Sequence, residues 1–354
     1  MARIVVHGAG AMGASIALHL ALRGARAVVL AERGQIAGGA TGKAMGGIRQ
    51  QFSTAAEVRL AQESIRFFEE LGPRLFEQVG YLFLATTEEG LEALAQRRSV
   101  QRELGVQVED VDACRAEELA PGLVTDDVLG GAFCATDGVS DPPAVARELV
   151  RRAAELGVDV REGTAGEDVE GDMRVLACGA WSAEAAAGYG VDLPVRPLCR
   201  QLIDTTPVAG LPERLPMVLE AETGFHFRRR GDRLRLAMTD PAPRWGFAEV
   251  VDESLLPDRL ERLARRFPPA AKAGVGEAWA GLYDMTPDAH PVIGWIAPGV
   301  YAACGFSGHG FMQSPAVGRA VAEELVEGSS ALDLSPYRLE RFASGAVFPE
   351  QVVL

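Results

Sequence analysis

The chemistry in this 354-residue chain is concentrated where glycine clusters beside a hydroxyl, an acid or an arginine. Gly8-Ala9-Gly10-Ala11-Met12-Gly13 is followed, nineteen residues after Gly13, by Glu32. A Gly-x-Gly-x-x-Gly run on a strand-to-helix turn cradles a pyrophosphate. Gly8 permits the tight turn, Gly10 admits the phosphates to the backbone, and Gly13 lets the helix pack on the strand. The helix N-terminus at Ala11 and Met12 offers free N–H groups. Glu32, with Arg33 beside it, sits where an acid accepts from ribose hydroxyls and repels a 2′-phosphate, which disfavours NADP. This unit alone does not separate FAD from NAD.

Three further Gly-rich segments can face the same ligand. Residues 38–49 carry Ala40, Thr41, Met45, Gly46, Gly47 and Arg49. A nicotinamide fold has no need of this second loop, which suits a chain running along an extended ligand. The Thr41 hydroxyl would lie near phosphate, and Gly46-Gly47 would let a flat ring lie close. Cys178, Gly179 and Trp181 fall where a buried strand ends in a turn. Gly308, His309, Gly310, Phe311 and Met312 precede a C-terminal helix, whose positive dipole end would stabilise negative charge on a reduced flavin.

The elements that must position these groups follow from pattern. Apolar runs predict strands at residues 3–7, 27–31, 158–161, 173–178 and 300–304. Helices are predicted from 11 to 23, from 142 to about 156 with Asp141 as N-cap, and from 314 or 315 to 327. Strands at 81–84 and within 196–275, with a charged helix at 88–104, have no share in the Gly-rich turns. The expected architecture is α/β plus α+β. A Rossmann-like cofactor domain (1–75, 141–195 and 276–354) is interleaved with a mixed-sheet substrate domain (76–140 and 196–275).

Composition narrows the function classes. With 35 Lys+Arg against 49 Asp+Glu the net charge is −14, and no basic stripe exists to track phosphates of a nucleic acid. Five widely spaced cysteines form no Cys-x-x-Cys pair, so neither a zinc site nor a disulfide framework is expected. No apolar run reaches membrane-spanning length. Glycines interrupt the apolar N-terminal stretch before it could serve as a signal peptide. Cytoplasmic localisation is the expectation. Glycine is in excess, at 40 residues, and the Gly-rich turns account for its placement.

At the level of whole segments, the chain resembles the FAD-dependent amino-acid and amine oxidoreductases of the D-amino-acid oxidase superfamily. The resemblance rests on the N-terminal Gly-rich unit, Gly-Ile-Arg-Gln-Gln-Phe at 47–52, Leu-Ala-Cys-Gly-Ala-Trp-Ser at 176–182, Met-Thr-Pro-Asp-Ala-His-Pro-Val-Ile-Gly at 285–294 and Gly-Phe-Ser-Gly-His-Gly-Phe at 305–311. It implies a Rossmann-like FAD-binding domain holding FAD in an extended pose. Tyr283 stands where glycine and D-amino-acid oxidases place a carboxylate-binding Arg. That makes the chain more similar to sarcosine oxidases, their beta subunits and dye-linked proline dehydrogenases. Relatives that attach flavin covalently do so at positions matching Gly281 or Gly46, so noncovalent FAD is expected. The hairpin that relatives carry between their central strands is shortened, at about 162–171, which would expose the adenine end.

The resemblance also implies roles. Arg49 matches the substrate-carboxylate Arg of the sarcosine branch, while Met312 replaces a second carboxylate-binding Lys of that branch. Arg235 aligns with a Lys that sits over the flavin in oxygen activation. His309 lies near the flavin, and His290 reads as packing. The implied reaction oxidises the C–N bond of a small amino acid or secondary amine, of sarcosine or proline type, to an imine by hydride transfer to flavin N5. Electrons pass on to O2 or another acceptor. Three rivals stay open: a glycine- or D-amino-acid-type oxidase of primary amines, a flavin-carrying subunit active only with partner subunits, and a binding protein that uses FAD only structurally. No metal is called for.

Overall fold

The computed structural model describes residues 2–350. A six-stranded sheet runs in the order Val292–Ala297, Val300–Cys304, Met173–Leu176, Ile4–His7, Val28–Glu32, Asp159–Glu162. All neighbours are parallel except the first pair. Ile4, Val6, Val28 and Leu30 enter the large core on one face, and Val5, Val29 and Ala31 a small one on the other. A parallel strand buried on both faces reads as an unbroken apolar run for this reason.

Helices Ala11–Leu22, Pro142–Glu155 and Gly310–Glu327 pack together over one face. The first is apolar all round, so its ten residues from Ala11 to Leu20 are all buried. Helix Pro142–Glu155 starts as expected, with the Asp141 carboxylate accepting from the Ala144 N–H at 3.1 Å. Helix Gly310–Glu327 begins four or five residues earlier than the prolyl start signal indicated. Pro315 sits inside it, and the Ser314 hydroxyl donates to the Phe311 carbonyl, which Pro315 cannot engage (2.9 Å). Residues 163–172 join two sheet strands through one short turn, Gly166–Asp168, with no strand between.

Nine strands form the second sheet: Arg244–Trp245, Arg196–Thr205, Arg233–Ala237, His226–Arg230, Met217–Glu220, Tyr81–Ala85, Gly130–Cys134 and Val108–Val111 in order, with Val275–Met285 along the second of them. It is mixed, since Met217–Glu220 runs parallel to Tyr81–Ala85 and the rest are antiparallel. Strand Val275–Met285 pairs with Arg196–Thr205 over its whole length, from Arg196↔Met285 to Thr205↔Val275. By backbone pairing it belongs to this sheet, although the boundary expected at 276 grouped it with the cofactor domain. Gly47–Ile48 forms a small three-stranded sheet with Gly138–Ser140 and Phe76–Glu77.

Candidate functional site

A cavity of about 770 Å³ opens where the carboxyl ends of the parallel strands face the large sheet. That is the place where open α/β sheets bind ligands. All four Gly-rich strand ends reach it. Gly8, Gly10, Ala11, Met12, Glu32, Arg33, Ala40, Thr41, Met45, Gly46, Gly47, Cys178, Gly179, Trp181, Gly308, Gly310, Phe311 and Met312 line its wall. Gly13 does not, because it lies one turn into the helix: a Cβ there would stand 1.8 Å from the Gly8 carbonyl oxygen. Its role is the close helix–strand approach.

The turn at residues 8–13 is held from two sides. Gly8 takes a φ of +95°, which a side chain would strain. The Glu32 carboxylate accepts from the Ala9 N–H at 2.8 Å with one oxygen and from the Gly34 N–H at 2.7 Å with the other. Each oxygen keeps a second lone pair for a hydroxyl. The Thr41 hydroxyl accepts from the Ala11 N–H at 3.0 Å, in the place of the N-cap that Gly10 lacks. Cys178 donates to the His7 carbonyl at 3.5 Å, and burial pushes its thiol up to about 12.

Across the cavity, Arg49, His309 and Tyr283 share the wall with Tyr81, Met217 and His226 of the large sheet. Arg49 is 1% exposed, and its Nη2 lies 3.3 Å from His309 Nε2. The guanidinium also rests 4.2 Å from the Phe52 ring centroid. Buried Asp137 accepts from the Gln50 N–H at 2.9 Å and from the Gln51 amide at 3.1 Å, which braces the segment carrying Arg49. Burial raises the Asp137 carboxyl to about 6. Burial also raises the Tyr283 phenol and lowers His226 to about 4, so both stay neutral near pH 7.

Asp284 shapes the turn that carries His309. Its carboxylate accepts from the Gly305 N–H at 2.7 Å, and its carbonyl accepts from the Ser307 N–H at 3.1 Å. The Tyr283 ring then packs so closely on residue 308 that a Cβ there would lie 2.5 Å from it. The Thr286–His290 segment is bolted down by the buried pair Arg341–Asp288 at 2.8 Å. His290 faces Glu57 at 3.1 Å, away from the cavity.

Arg235 departs from expectation. Its guanidinium pairs with Asp204 at 2.8 Å, stacks over Trp279 at 4.6 Å and donates to the Ala44 carbonyl at 3.1 Å. It does not line the cavity, because Asp204 on the neighbouring strand draws it to the sheet. Conversely, Arg200, Tyr81 and His226 reach the cavity although their residue types alone did not single them out. The signal for Arg200 was an arginine set between Leu198 and Leu202 in an otherwise apolar alternation.

These residues suit FAD. The cavity is of ligand-pocket size, a helix N-terminus meets it for the pyrophosphate, Glu32 is placed for ribose, and a Gly-rich loop runs along one side. Among the described residues no group of His, Cys, Asp and Glu could hold a metal ion. Also among them, no helix is long and apolar enough to cross a membrane.

Comparison with known proteins agrees with this geometry. Residues 3–324 match the family described as FAD dependent oxidoreductase (DAO). FAD-dependent oxidoreductase domain-containing protein 1 of Xenopus laevis is 31% identical, covering 97% of this chain and 83% of its own. The L-proline dehydrogenase structure from P. horikoshii superposes with a TM-score of 0.90 at 28% identity, over 97% of this chain and 98% of that one. Glycine oxidase from Geobacillus kaustophilus gives a TM-score of 0.82 at 26% identity, over 96% and 99%.

Proposed function

The chain belongs to the DAO family of FAD-dependent oxidoreductases, and from that premise we propose that it oxidises the C–N bond of a small amino acid or secondary amine of sarcosine or proline type. The observation that carries this reading is Arg49, a buried guanidinium on the cavity wall beside His309 and next to the large sheet. A fixed planar fork is suited to orienting a carboxylate. The similarity to L-proline dehydrogenase, and Tyr283 at the position of the oxidases' Arg, favour a secondary amine over a primary one.

When bound, FAD supplies the acceptor for the hydride that leaves the carbon beside nitrogen. The protein orients and shields. Arg49 holds the carboxylate, and the neutral His226, Tyr81 and Tyr283 line the space above it without contributing charge. The apolar Met217, Leu202 and Phe306 keep water from the reacting carbon. The N-terminus of helix Gly310–Glu327 offers its dipole to the charge that builds on reduction. Water hydrolyses the imine after release.

Several finer assignments belong to the same proposal. FAD is held noncovalently by the four Gly-rich strand ends, since glycine occupies positions 46 and 281. The five unpaired cysteines suit a reducing cytoplasm. Electrons pass to O2 or to another acceptor, directly or through partner subunits. The test is an anaerobic screen of sarcosine, L-proline, glycine, D-alanine and N-methyl amines, read by loss of the oxidised-flavin band. Bleaching by sarcosine or L-proline supports the proposal, and a flavin that no amino acid or amine bleaches rules it out.

A further inference from the structure

Interior arginines are frequent in and beside the large sheet, and these have partners within the protein. Arg235 pairs with Asp204, Arg259 with Asp240, and Arg266 with Glu220 and Asp127. Arg228 donates to the Met45 and Ser140 carbonyls. Arg200 differs from these. It lines the cavity, its Nε is buried without a hydrogen-bond partner, and among the described residues no carboxylate or carbonyl accepts from its guanidinium. Its guanidinium lies over the face of Tyr283, 5.8 Å from the ring centroid.

Backbone register explains how this cation is presented. Leu198, Arg200 and Leu202 share one face of their strand, and across from them lie Tyr283, Gly281 and Trp279. Arg200 faces Gly281, which adds no side chain of its own; the Lys43 stem lies over that glycine, and the Lys43 ammonium is taken by Glu249.

Two positive charges therefore act on one region. Burial, then Arg49, then Arg200 hold His226 un-ionised, and both arginines also bear on Tyr283. Of the acids that line the cavity, Glu32 is engaged with the Ala9 and Gly34 amides, Glu249 with Lys43, and Asp284 with the Gly305 amide, while Glu167 and Glu184 line it as well and have no ion pair with Arg200. A partly buried guanidinium without a counter-charge costs free energy that an arriving anion recovers.

We infer that Arg200 binds a second anionic group, and that the substrate is an amino or imino dicarboxylate with one carboxylate on Arg49 and the other on Arg200. This rests on the proposed function and names its substrate class. The oxidised bond then lies between the two anchors, so the second charge-assisted contact adds both affinity and orientation.

The test separates binding from turnover. The oxidised FAD-loaded protein is titrated with glutarate, succinate and butyrate, following the perturbation of the flavin spectrum. The dicarboxylates are expected to bind about 10- to 100-fold more tightly than butyrate. Arg200→Met should collapse that ratio to near one, and Arg200→Lys should restore part of it. In the bleaching screen, iminodiacetate and N-methyl-glutamate should show lower KM than sarcosine, and Arg200→Met should raise that KM more than it lowers kcat. Equal binding of glutarate and butyrate, or a ratio unchanged in Arg200→Met, overturns the role of Arg200 even if sarcosine or proline is oxidised. A preserved dicarboxylate preference in a protein that no amine bleaches leaves Arg200 an anion site and defeats the proposed reaction instead.

Discussion

Arg49 Nη2 lies 3.3 Å from His309 Nε2, and because a guanidinium only donates, that ring nitrogen is the accepting one. The contact joins the Gly-rich loop near the N-terminus to the helix start 260 residues later. It pins one edge of the guanidinium, while Phe52 flanks both partners, 4.2 Å from the Arg49 guanidinium and edge-on to the His309 ring at 5.2 Å.

The first prediction follows from that contact. Arg49→Ala should lower kcat/KM on the best amino-acid substrate by about 10- to 100-fold, the worth of a lost charge-assisted hydrogen bond. His309→Phe should raise KM by a larger factor than it lowers flavin content, because it loosens Arg49 while leaving Gly308 and Gly310 in place. Steady-state kinetics checks both. An Arg49→Ala protein with wild-type KM and kcat would remove Arg49 from the carboxylate role.

Glu32 clamps the turn at residues 8–13 through two backbone amides. Glu32→Ala should weaken FAD retention by at least about tenfold and cost roughly 2 kcal/mol of stability, since two bonds to a charged acceptor are lost. Flavin released on dilution, measured by fluorescence, reports the first effect, and urea denaturation the second. Acid precipitation of the wild type should leave the yellow colour in the supernatant. Colour retained in the pellet would contradict noncovalent attachment.

Arg235 offers a test in which structure and resemblance disagree. The buried Arg235–Asp204 pair supports the sheet, and Arg230 also reaches Asp204 at 2.9 Å, so Arg235→Gln should cost about 2 kcal/mol through its lost bonds to the carboxylate while Arg230 still balances the Asp204 charge. Reoxidation of the reduced flavin by O2, followed by stopped flow, should change little. A large fall in the reoxidation rate would return Arg235 to an oxygen-activating role.

Three buried histidines oppose folding in acid, and buried Asp137, raised to about 6, offsets part of their effect. His7, His19 and His226 are each lowered from 6.5 to about 4, chiefly by burial. Between those values the unfolded chain binds protons that the folded one refuses, so stability is full above about pH 6.5 and declines as pH falls toward 4. Each lowered histidine is worth roughly 3 kcal/mol across that window. Denaturation midpoints between pH 7 and 4.5 should fall steadily, and more gently in His226→Asn. An unchanged slope would show that His226 is not held neutral.

Much of the cofactor side was legible in sequence because it is local. The turn at residues 8–13, the N-cap Asp141 and the strands at 173–178 and 300–304 are decided by neighbours within a few residues. Glycine placement marked where backbone must approach a ligand, and the family and its FAD followed from the same segments. The start of helix Gly310–Glu327 misled, because the Ser314 hydroxyl accommodates a proline that normally opens a helix. Strand pairing between segments about 80 residues apart, which no local pattern encodes, places Val275–Met285 in the large sheet.

The amino-acid sequence alone determined that this chain builds parallel strands ending in glycine turns around an extended cofactor, since period, capping and turn chemistry act over short stretches. Only the tertiary structure decided which of many arginines face the cavity. Arg235 and Arg200 are both arginines on neighbouring strands of one sheet, yet Asp204 claims the first, while among the described residues no carboxylate pairs with the second, which lines the cavity. That choice depends on which side chains meet across strands far apart in sequence.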